Sequence, residues 1–502
     1  FLLTGIGSSL RGIAGGYAGI GYLAATDRVQ IAVVGGIGLL LATVIGIFLY
    51  WRRFSFRVGT DEVRIDSGII SRTHRSIPFD RVQDVDITQG PVSRLLGLAK
   101  VKFETGAAGG SEEGVLPAIS LDRAEALREY VRARRGIHIS RQEATAAEPL
   151  PLFAMDLRRV LTAGVFNFSL AIFAGLIGVT QTFGDVLGFD PFERSFWESA
   201  LQRAGPLADY VQTHRFGAAV AGFVTLILLG IATGVVRTLL REFRFRLDRT
   251  GTGLRRRRGL LTLTDVTLPL RRVQAGVIDT GPVRELFGWH ALSVKSLAGD
   301  TGDGGGTGGD HVLAPLARKH ELQEVAAEFG WRLPDGETAW RQVARAYVWS
   351  FLILIVPLVL LITAALASLI LFAGSESPSN IAESPSEVMG NRITALLSLA
   401  MLASFVLAVL AALRWLAWKR TFYALEGDRL MVRTGWWNRQ TLLLPLANVQ
   451  SVDLIATSLS RWFGTAHISI GIAGGSLMGH RIPHLPADEA RQVRQALLSR
   501  FA

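Results

Sequence analysis

Five separate runs of mostly apolar residues interrupt this chain, each long enough as a helix to cross a bilayer core, which takes about 20 residues. They lie near Val29 to Trp51, Val160 to Phe183, Phe216 to Leu239, Ala346 to Phe372 and Ile393 to Trp418. A sixth stretch, Phe1 to Ala25, is rich in Gly and carries Arg11, and reads as a weaker span or the tail of a longer one. Five such runs cannot all find an interior in a soluble fold of 502 residues. Six spans in three hairpins are expected. The mean hydropathy of +0.33 and a charged fraction of only 19% agree, and exclude a purely soluble protein. The chain opens at Phe1 with no Met, so its true N-terminus is expected further upstream.

Orientation follows from the basic flanks, because Lys and Arg beside a span stay on the cytoplasmic side. Spans exit into Arg52, Arg53 and Arg57, into Arg237, Arg241, Arg244 and Arg246, and into Lys419 and Arg420. The connections Gly184 to His214 and Gly374 to Asn391 are acidic instead and are expected outside. All three large polar segments then fall in the cytoplasm, and the protein in the inner membrane.

Those polar segments repeat. Gly68, Pro78, Gln83 and Gly97 recur at identical spacing as Gly259, Pro269, Gln274 and Gly288, and again as Gly435, Pro445, Gln450 and Gly464. Self-similarity at fixed offsets signals one supersecondary unit used several times. Each copy opens with period-two alternation, as in Phe54 to Val58, Phe243 to Leu247 and Thr421 to Leu425, which reads as half-buried strand. Each copy ends in a helical pattern, Asp122 to Arg135, Arg318 to Phe329 and Ala487 to Phe501. The fold class is therefore an α+β membrane protein: helical hairpins alternating with three small antiparallel β-sheet or barrel modules, each capped by a C-terminal helix. The expected segments are a hairpin over 1–52, a module over 53–136, a linker over 137–157, a hairpin over 158–240 with outer loop 184–214, a module over 241–332, a linker over 333–345, a hairpin over 346–418 with outer loop 374–391, and a module over 419–502.

The words Ile77-Pro78-Phe79-Asp80-Arg81-Val82-Gln83 and Arg94-Leu95-Leu96-Gly97, in this element order, resemble the bacterial pleckstrin-homology family 2. The threefold layout looks like that of YdbT-type membrane proteins. The resemblance implies PH-like barrels at the cytoplasmic membrane face, no established catalytic residues, and a role in envelope stress or resistance to membrane-acting peptides. Departures at Glu285-Leu286-Phe287-Gly288, Arg461-Trp462-Phe463-Gly464 and Asn448, where the other copies have Arg81 and Arg272, put a binding role common to all three copies in doubt.

Zero cysteines exclude disulfides, Cys-ligated zinc, iron–sulfur clusters and thiol chemistry. No phosphate-binding Gly-rich Lys loop, zinc-protease word or nucleophile elbow occurs, so no catalytic residue, cofactor or metal site is assigned and the protein is expected not to be an enzyme. His480 and His484 share a suggestive spacing, but Pro483 and Pro486 argue against a helical pair. The excess of 53 Lys and Arg over 42 Asp and Glu draws the exposed parts toward anionic partners. Its strongest local expression is Arg255, Arg256, Arg257 and Arg258, with Arg271 and Arg272 further on. In a loop between strands these are head-group-binding candidates, because guanidiniums hold phosphoryl groups bidentately. The same run also reads as a solvated basic loop, and the sequence leaves both readings open. The expected function is a non-enzymatic scaffold or recognition protein, with membrane lipids and a protein or peptide as partners, self-association through strand edges, and no nucleic acid. A transporter or channel component is the alternative, although the spans hold few ionisable residues away from their ends.

Overall fold

The computed structural model describes residues 29–68, 72–105, 114–134, 151–168, 199, 213–251, 253–296, 310–372, 385–473 and 481–499. Four helices among them are long and apolar enough to span a membrane, within Val34–Arg53, Val220–Glu242, Ala346–Phe372 and Met389–Lys419. Their apolar side chains face outward: Leu361 is 68% exposed and Met401 71%. That is the arrangement hydrocarbon stabilises and water does not. The expected span near residues 1–25 lies outside the described residues. So does the span expected from Val160 to Phe183 beyond residue 168, although its first turns form the helix Leu157–Phe166.

That helix packs closely on the spanning helix Arg215–Glu242 because small residues face it. A Cβ on Gly164 would sit 2.6 Å from the Val235 backbone, and one on Gly234 only 2.4 Å from the Asn167 carbonyl oxygen. Small residues at such a crossing let two membrane helices approach and gain dispersion contact.

The strands run, in chain order, β1 (Ser55–Val58), β2 (Glu62–Ser67), β3 (Thr73–Pro78), β4 (Val82–Gln89), β5 (Leu98–Thr105) and β6 (Val115–Ser120) in the first repeat. The second repeat has β7 (Phe153–Ala154), β8 (Arg246–Thr250), β9 (Gly253–Arg258), β10 (Leu263–Pro269), β11 (Val273–Thr280), β12 (His290–Ser296) and β13 (Asp310–Ala317). The third has β14 (Arg341–Gln342), β15 (Phe422–Glu426), β16 (Arg429–Thr434), β17 (Arg439–Pro445), β18 (Val449–Ile455), β19 (Thr465–Ile472) and β20 (Arg481–Pro486). The segments taken from sequence as linkers thus each supply a two-residue edge strand. Phe153 of β7 pairs with Leu247, and Arg341 of β14 with Tyr423, which occupy the same repeat position.

Each repeat is two antiparallel meanders, and the sheets cross the repeat boundaries. One seven-stranded sheet has the order β6-β5-β4-β10-β9-β8-β7, and a second has β13-β12-β11-β17-β16-β15-β14. Three-stranded sheets β1-β2-β3 and β18-β19-β20 complete the set. The joining strands meet in one register: Thr88 faces Thr264 at the first junction, and Asp279 faces Gln440 at the second. Counted from the shared glycines these are the same repeat positions, so the join belongs to the repeat and not to one pair of neighbours.

The chain accordingly divides into two compact units, 1–270 with 301–304, and 271–300 with 305–502. In the first unit β1 to β6 and the helix Leu121–Arg134 share one core, with Val63, Val82, Val101, Leu116 and Ala124 fully buried. In the second unit β15 to β20 and the helix Ala487–Leu498 close around Leu430, Leu444, Ile468, Ile470, Ile482 and Leu485, all fully buried. The repeat glycines hold matching turns. Gly68, Gly259 and Gly435 have φ of 106°, 116° and 88°, and Gly97, Gly288 and Gly464 have 64°, 67° and 60°. A side chain is strained in that left-handed region.

Candidate functional site

The arginine run departs from the expected loop. Arg255 to Arg258 lie in β9, between β8 and β10 in the middle of the seven-stranded sheet. Strand alternation sends Arg256 and Arg258 inward, 3% and 4% exposed, and leaves Arg255 and Arg257 on the other face. Acids from distant sequence positions meet three of them. Arg258 donates to Glu242 at 2.7 Å, at the end of the spanning helix Arg215–Glu242. Arg255 donates to Asp265 of β10 at 2.8 Å, and Arg257 lies 3.8 Å from the same carboxylate. These arginines join strand to neighbouring strand and sheet to membrane helix. Arg271 is exposed and Arg272 buried, both on the turn Leu270–Arg272 that leads into β11.

Asp265 is the centre of the first junction. Arg128, from the helix that closes the first repeat, donates to its carboxylate at 2.9 Å, to its backbone carbonyl at 3.2 Å, and to the Val85 carbonyl at 3.0 Å. Burial alone would raise the Asp265 pKa, but Arg255 and Arg128 outweigh it and hold the carboxyl at about 2. Arg94 adds a bond from the first repeat to the Leu260 carbonyl of the second, at 2.6 Å.

The second junction uses different chemistry at matching places. Glu285, which stands where the first repeat has Arg94, pairs with Arg439 of β17. Asn448, which stands where the other repeats have Arg81 and Arg272, donates to the Val273 and Gln274 carbonyls at 3.3 and 2.9 Å. Arg461, which stands in the last repeat where the first two have Arg94 and Glu285, donates to its own Ser458 at 3.4 Å.

Where the third repeat meets its membrane hairpin, a polar joint forms around His484. Its ring nitrogens contact Ser350 of the spanning helix Ala346–Phe372 at 3.1 Å and Thr465 at 3.3 Å, and its backbone N–H donates to His467 Nδ1 at 3.0 Å. Burial, then neighbouring positive charge, pushes both imidazoles down to about 4, so both are neutral near pH 7. Arg414, 3.6 Å above the Tyr347 ring, donates to the Tyr347 carbonyl beneath this joint. His480 lies outside the described residues. Among the described residues no cluster of three or more His, Asp or Glu could hold a metal ion.

Two meanders closed by a helix, repeated three times beside apolar helices, is a layout that comparison with known families resolves. The bacterial PH domain family matches residues 12–135, 205–330 and 350–501. The chain belongs to that family. Among relatives, it is 27% identical over 303 residues to the UPF0699 transmembrane protein YdbT of Bacillus subtilis (strain 168), covering 58% of this chain and 59% of that one. It is 33% identical over 99 residues to the UPF0699 transmembrane protein YdbS of the same organism, covering 18% of this chain and 58% of that one. The chain thus spans just under three fifths of the length of each relative. No solved structure matches it.

For a bacterial PH domain chain, the residues that sequence reasoning passed over are the ones at the junctions: Arg128, Asp265, Glu242 and Arg439. A signal existed for some of them, because Glu285 and Asn448 break the repeat pattern where the next or previous copy is touched.

Proposed function

We propose that this membrane protein is a non-enzymatic scaffold that presents three PH-like domains at the cytoplasmic face of the inner membrane for recognition of a protein, peptide or anionic lipid. The observation that carries the reading is the common register of the two junctions, Thr88 with Thr264 and Asp279 with Gln440. Pairing spent on neighbours inside the chain fixes adjacent half-domains against each other, so a weak site on one is tethered beside a weak site on the next. Tethering of that kind raises affinity through effective concentration without a new contact.

The cytoplasmic placement is supported by Arg52 and Arg53 in the last turn of Val29–Arg53, Arg241 in that of Arg215–Glu242, and Lys419 in that of Pro385–Lys419. A part in envelope stress or resistance to membrane-acting peptides rests on the family resemblance. Self-association through strand edges has less room than the sequence suggests, because β4, β10, β11 and β17 are paired within the chain and short β7 and β14 cover β8 and β15.

Cross-linking in the native membrane, combined with side-specific labelling of cysteines introduced at Arg81 and Arg271, tests the reading. It predicts labelling only from the cytoplasmic side and a recurrent cross-linked partner. Labelling of either module from outside, or ion or solute flux through purified protein in liposomes, contradicts it.

A further inference from the structure

The cleft where the second repeat meets the third carries basic side chains, Arg433 among them, that no carboxylate of the described residues pairs, whereas the matching Arg257 of the first junction has one. A cavity of about 460 Å³ lies between β11, β12 and the helix Lys319–Ala327 on one side and β15 to β17 on the other. Lys319, Arg420, Arg433 and Arg439 border it, against the single carboxylate of Glu285. That carboxylate is already paired with Arg439, whose Nε is buried with no hydrogen-bond partner among the described residues. Arg433 rests 4.2 Å from the Trp340 ring. Among the described residues no carboxylate forms an ion pair with Arg433, Arg420 or Lys319. Burial, then the adjacent Arg420 guanidinium, pushes the Arg433 pKa down, as like charges do when no anion lies between them. Ile278, Leu322, Leu333 and Phe422 make the apolar part of the wall, beside the polar Thr280, His290 and Thr441.

The first junction serves as an internal control. By repeat position Arg433 corresponds to Arg257, Thr441 to Asp265 and Arg439 to Leu263. At the first junction Arg257 therefore has a carboxylate 3.8 Å away, shared with Arg255 and Arg128. At the second, that carboxylate is replaced by the Thr441 hydroxyl and a leucine by Arg439, both on the cavity wall, while Glu285, in place of Arg94, pairs with Arg439 and not with Arg433. The Arg433 guanidinium thus lacks the carboxylate that its counterpart has, beside a space within the range of about 300–1,000 Å³ typical of small-molecule sites.

We propose that this cleft binds a phosphoryl anion carried on an apolar body, with the guanidiniums of Arg433 and Arg439 holding the phosphoryl oxygens and Phe422 and Leu322 contacting the apolar part. Guanidiniums suit this task because their planar forks match tetrahedral oxyanions. An anionic lipid is one source of that chemistry, since Arg420 is the first residue after the spanning helix Pro385–Lys419, and Trp415 and Trp418 stand in that helix's last turns. A soluble phosphate ester with an apolar group is the other. The site deepens the recognition function proposed above by naming a ligand class.

The test is calorimetric titration of the whole chain in neutral detergent. The probes are short-chain phosphatidate, short-chain phosphatidylcholine with the same acyl groups, glycerol phosphate and inorganic phosphate. Phosphatidate is expected to bind, and phosphatidylcholine to bind at least about tenfold more weakly. Thr441→Asp, which imports the carboxylate of the first junction, and the double variant Arg433→Gln with Arg439→Gln are each expected to lose at least about tenfold. Arg123→Gln, on the exposed face of the helix Leu121–Arg134, is expected to leave binding unchanged. With phenyl phosphate as a fifth probe, tighter binding of phosphatidate assigns the ligand to the lipid and tighter binding of phenyl phosphate assigns it to a soluble ester, while glycerol phosphate binding as tightly as both overturns the apolar contact. The proposal is overturned if phosphatidylcholine binds as tightly as phosphatidate, or if Thr441→Asp binds undiminished. Should the double variant fail to fold, Thr441→Asp alone decides. A flat titration together with a recurrent cross-linked partner removes this site and leaves the recognition reading standing, whereas binding together with labelling of a module from outside removes that reading and leaves the site.

Discussion

Arg128, on the helix that closes the first repeat, donates to Asp265, on β10 of the second repeat, at 2.9 Å with both side chains nearly dry. A buried ion pair of this kind adds little over a well-packed apolar pair, but removing one partner leaves an uncompensated charge. Here Asp265 answers to Arg128, Arg255 and Arg257 together.

Asp265→Asn is therefore expected to cost about 3–5 kcal/mol, read as a fall in the thermal unfolding midpoint of the purified chain. The double variant Arg128→Met with Asp265→Leu, which removes charge from both sides, is expected to recover part of that loss. A single variant no less stable than the parent would contradict the role given to this pair.

Acid is expected to act in two steps. His467 and His484 sit at about 4 when folded, below the ordinary imidazole value of 6.5. The unfolded chain takes up those protons first, so the stability they represent is intact above pH 6.5 and lost as pH falls through 4. Asp265, held at about 2 against an ordinary 3.8, keeps its contribution above pH 3.8 and loses it as pH falls toward 2. Hydrogen exchange followed by segment across pH 7 to 3 should show β19 and β20 opening before β4 and β10. The opposite order would refute the assignment.

Much of the fold is legible in the sequence because glycines and prolines at fixed spacing demand the same backbone three times. Gly259 and Gly435 show why: a Cβ at either would lie 1.8 or 1.9 Å from the carbonyl oxygen of Thr262 or Asn438. The arginine run was less legible. Four consecutive charges carry no hydropathy alternation, so nothing local distinguishes a strand from a loop, and the neutralising Glu242 and Asp265 come from other elements. The sharing of sheets between repeats was hidden for a similar reason, since one repeat's sequence specifies its own meander but not which strand lies across the free edge of β4 or β11. Only the breaks in the pattern at Glu285 and Asn448 point to it.

Gly259→Ala and Gly435→Ala are each expected to destabilise by about 1–3 kcal/mol, through left-handed backbone strain together with the carbonyl clash. Gly35→Ala in the first spanning helix, where a Cβ meets nothing within 4 Å, is expected to be neutral. Expression and thermal unfolding of the three variants side by side check this, and a neutral Gly259→Ala would contradict the turn geometry.

Gly234→Val should disturb the crossing of Leu157–Phe166 with Arg215–Glu242, because even a Cβ would lie 2.4 Å from the Asn167 carbonyl oxygen. A cysteine pair at Asn167 and Thr238, whose side chains hydrogen-bond across the crossing at 3.1 Å, should cross-link readily in the otherwise unchanged chain, and should lose that ability when Gly234→Val is added.

The edge-to-edge fusion of successive repeats is open to the most direct test, since the chain contains no cysteine of its own. Cysteine pairs would be placed at Thr88 with Thr264, and at Asp279 with Gln440, and oxidised in the native membrane. Intramolecular disulfides at both pairs, with markedly slower formation when either partner is moved by one residue, are the predicted result. Failure of both pairs to close, or preferential closure between separate chains, would contradict the shared sheets on which the account rests.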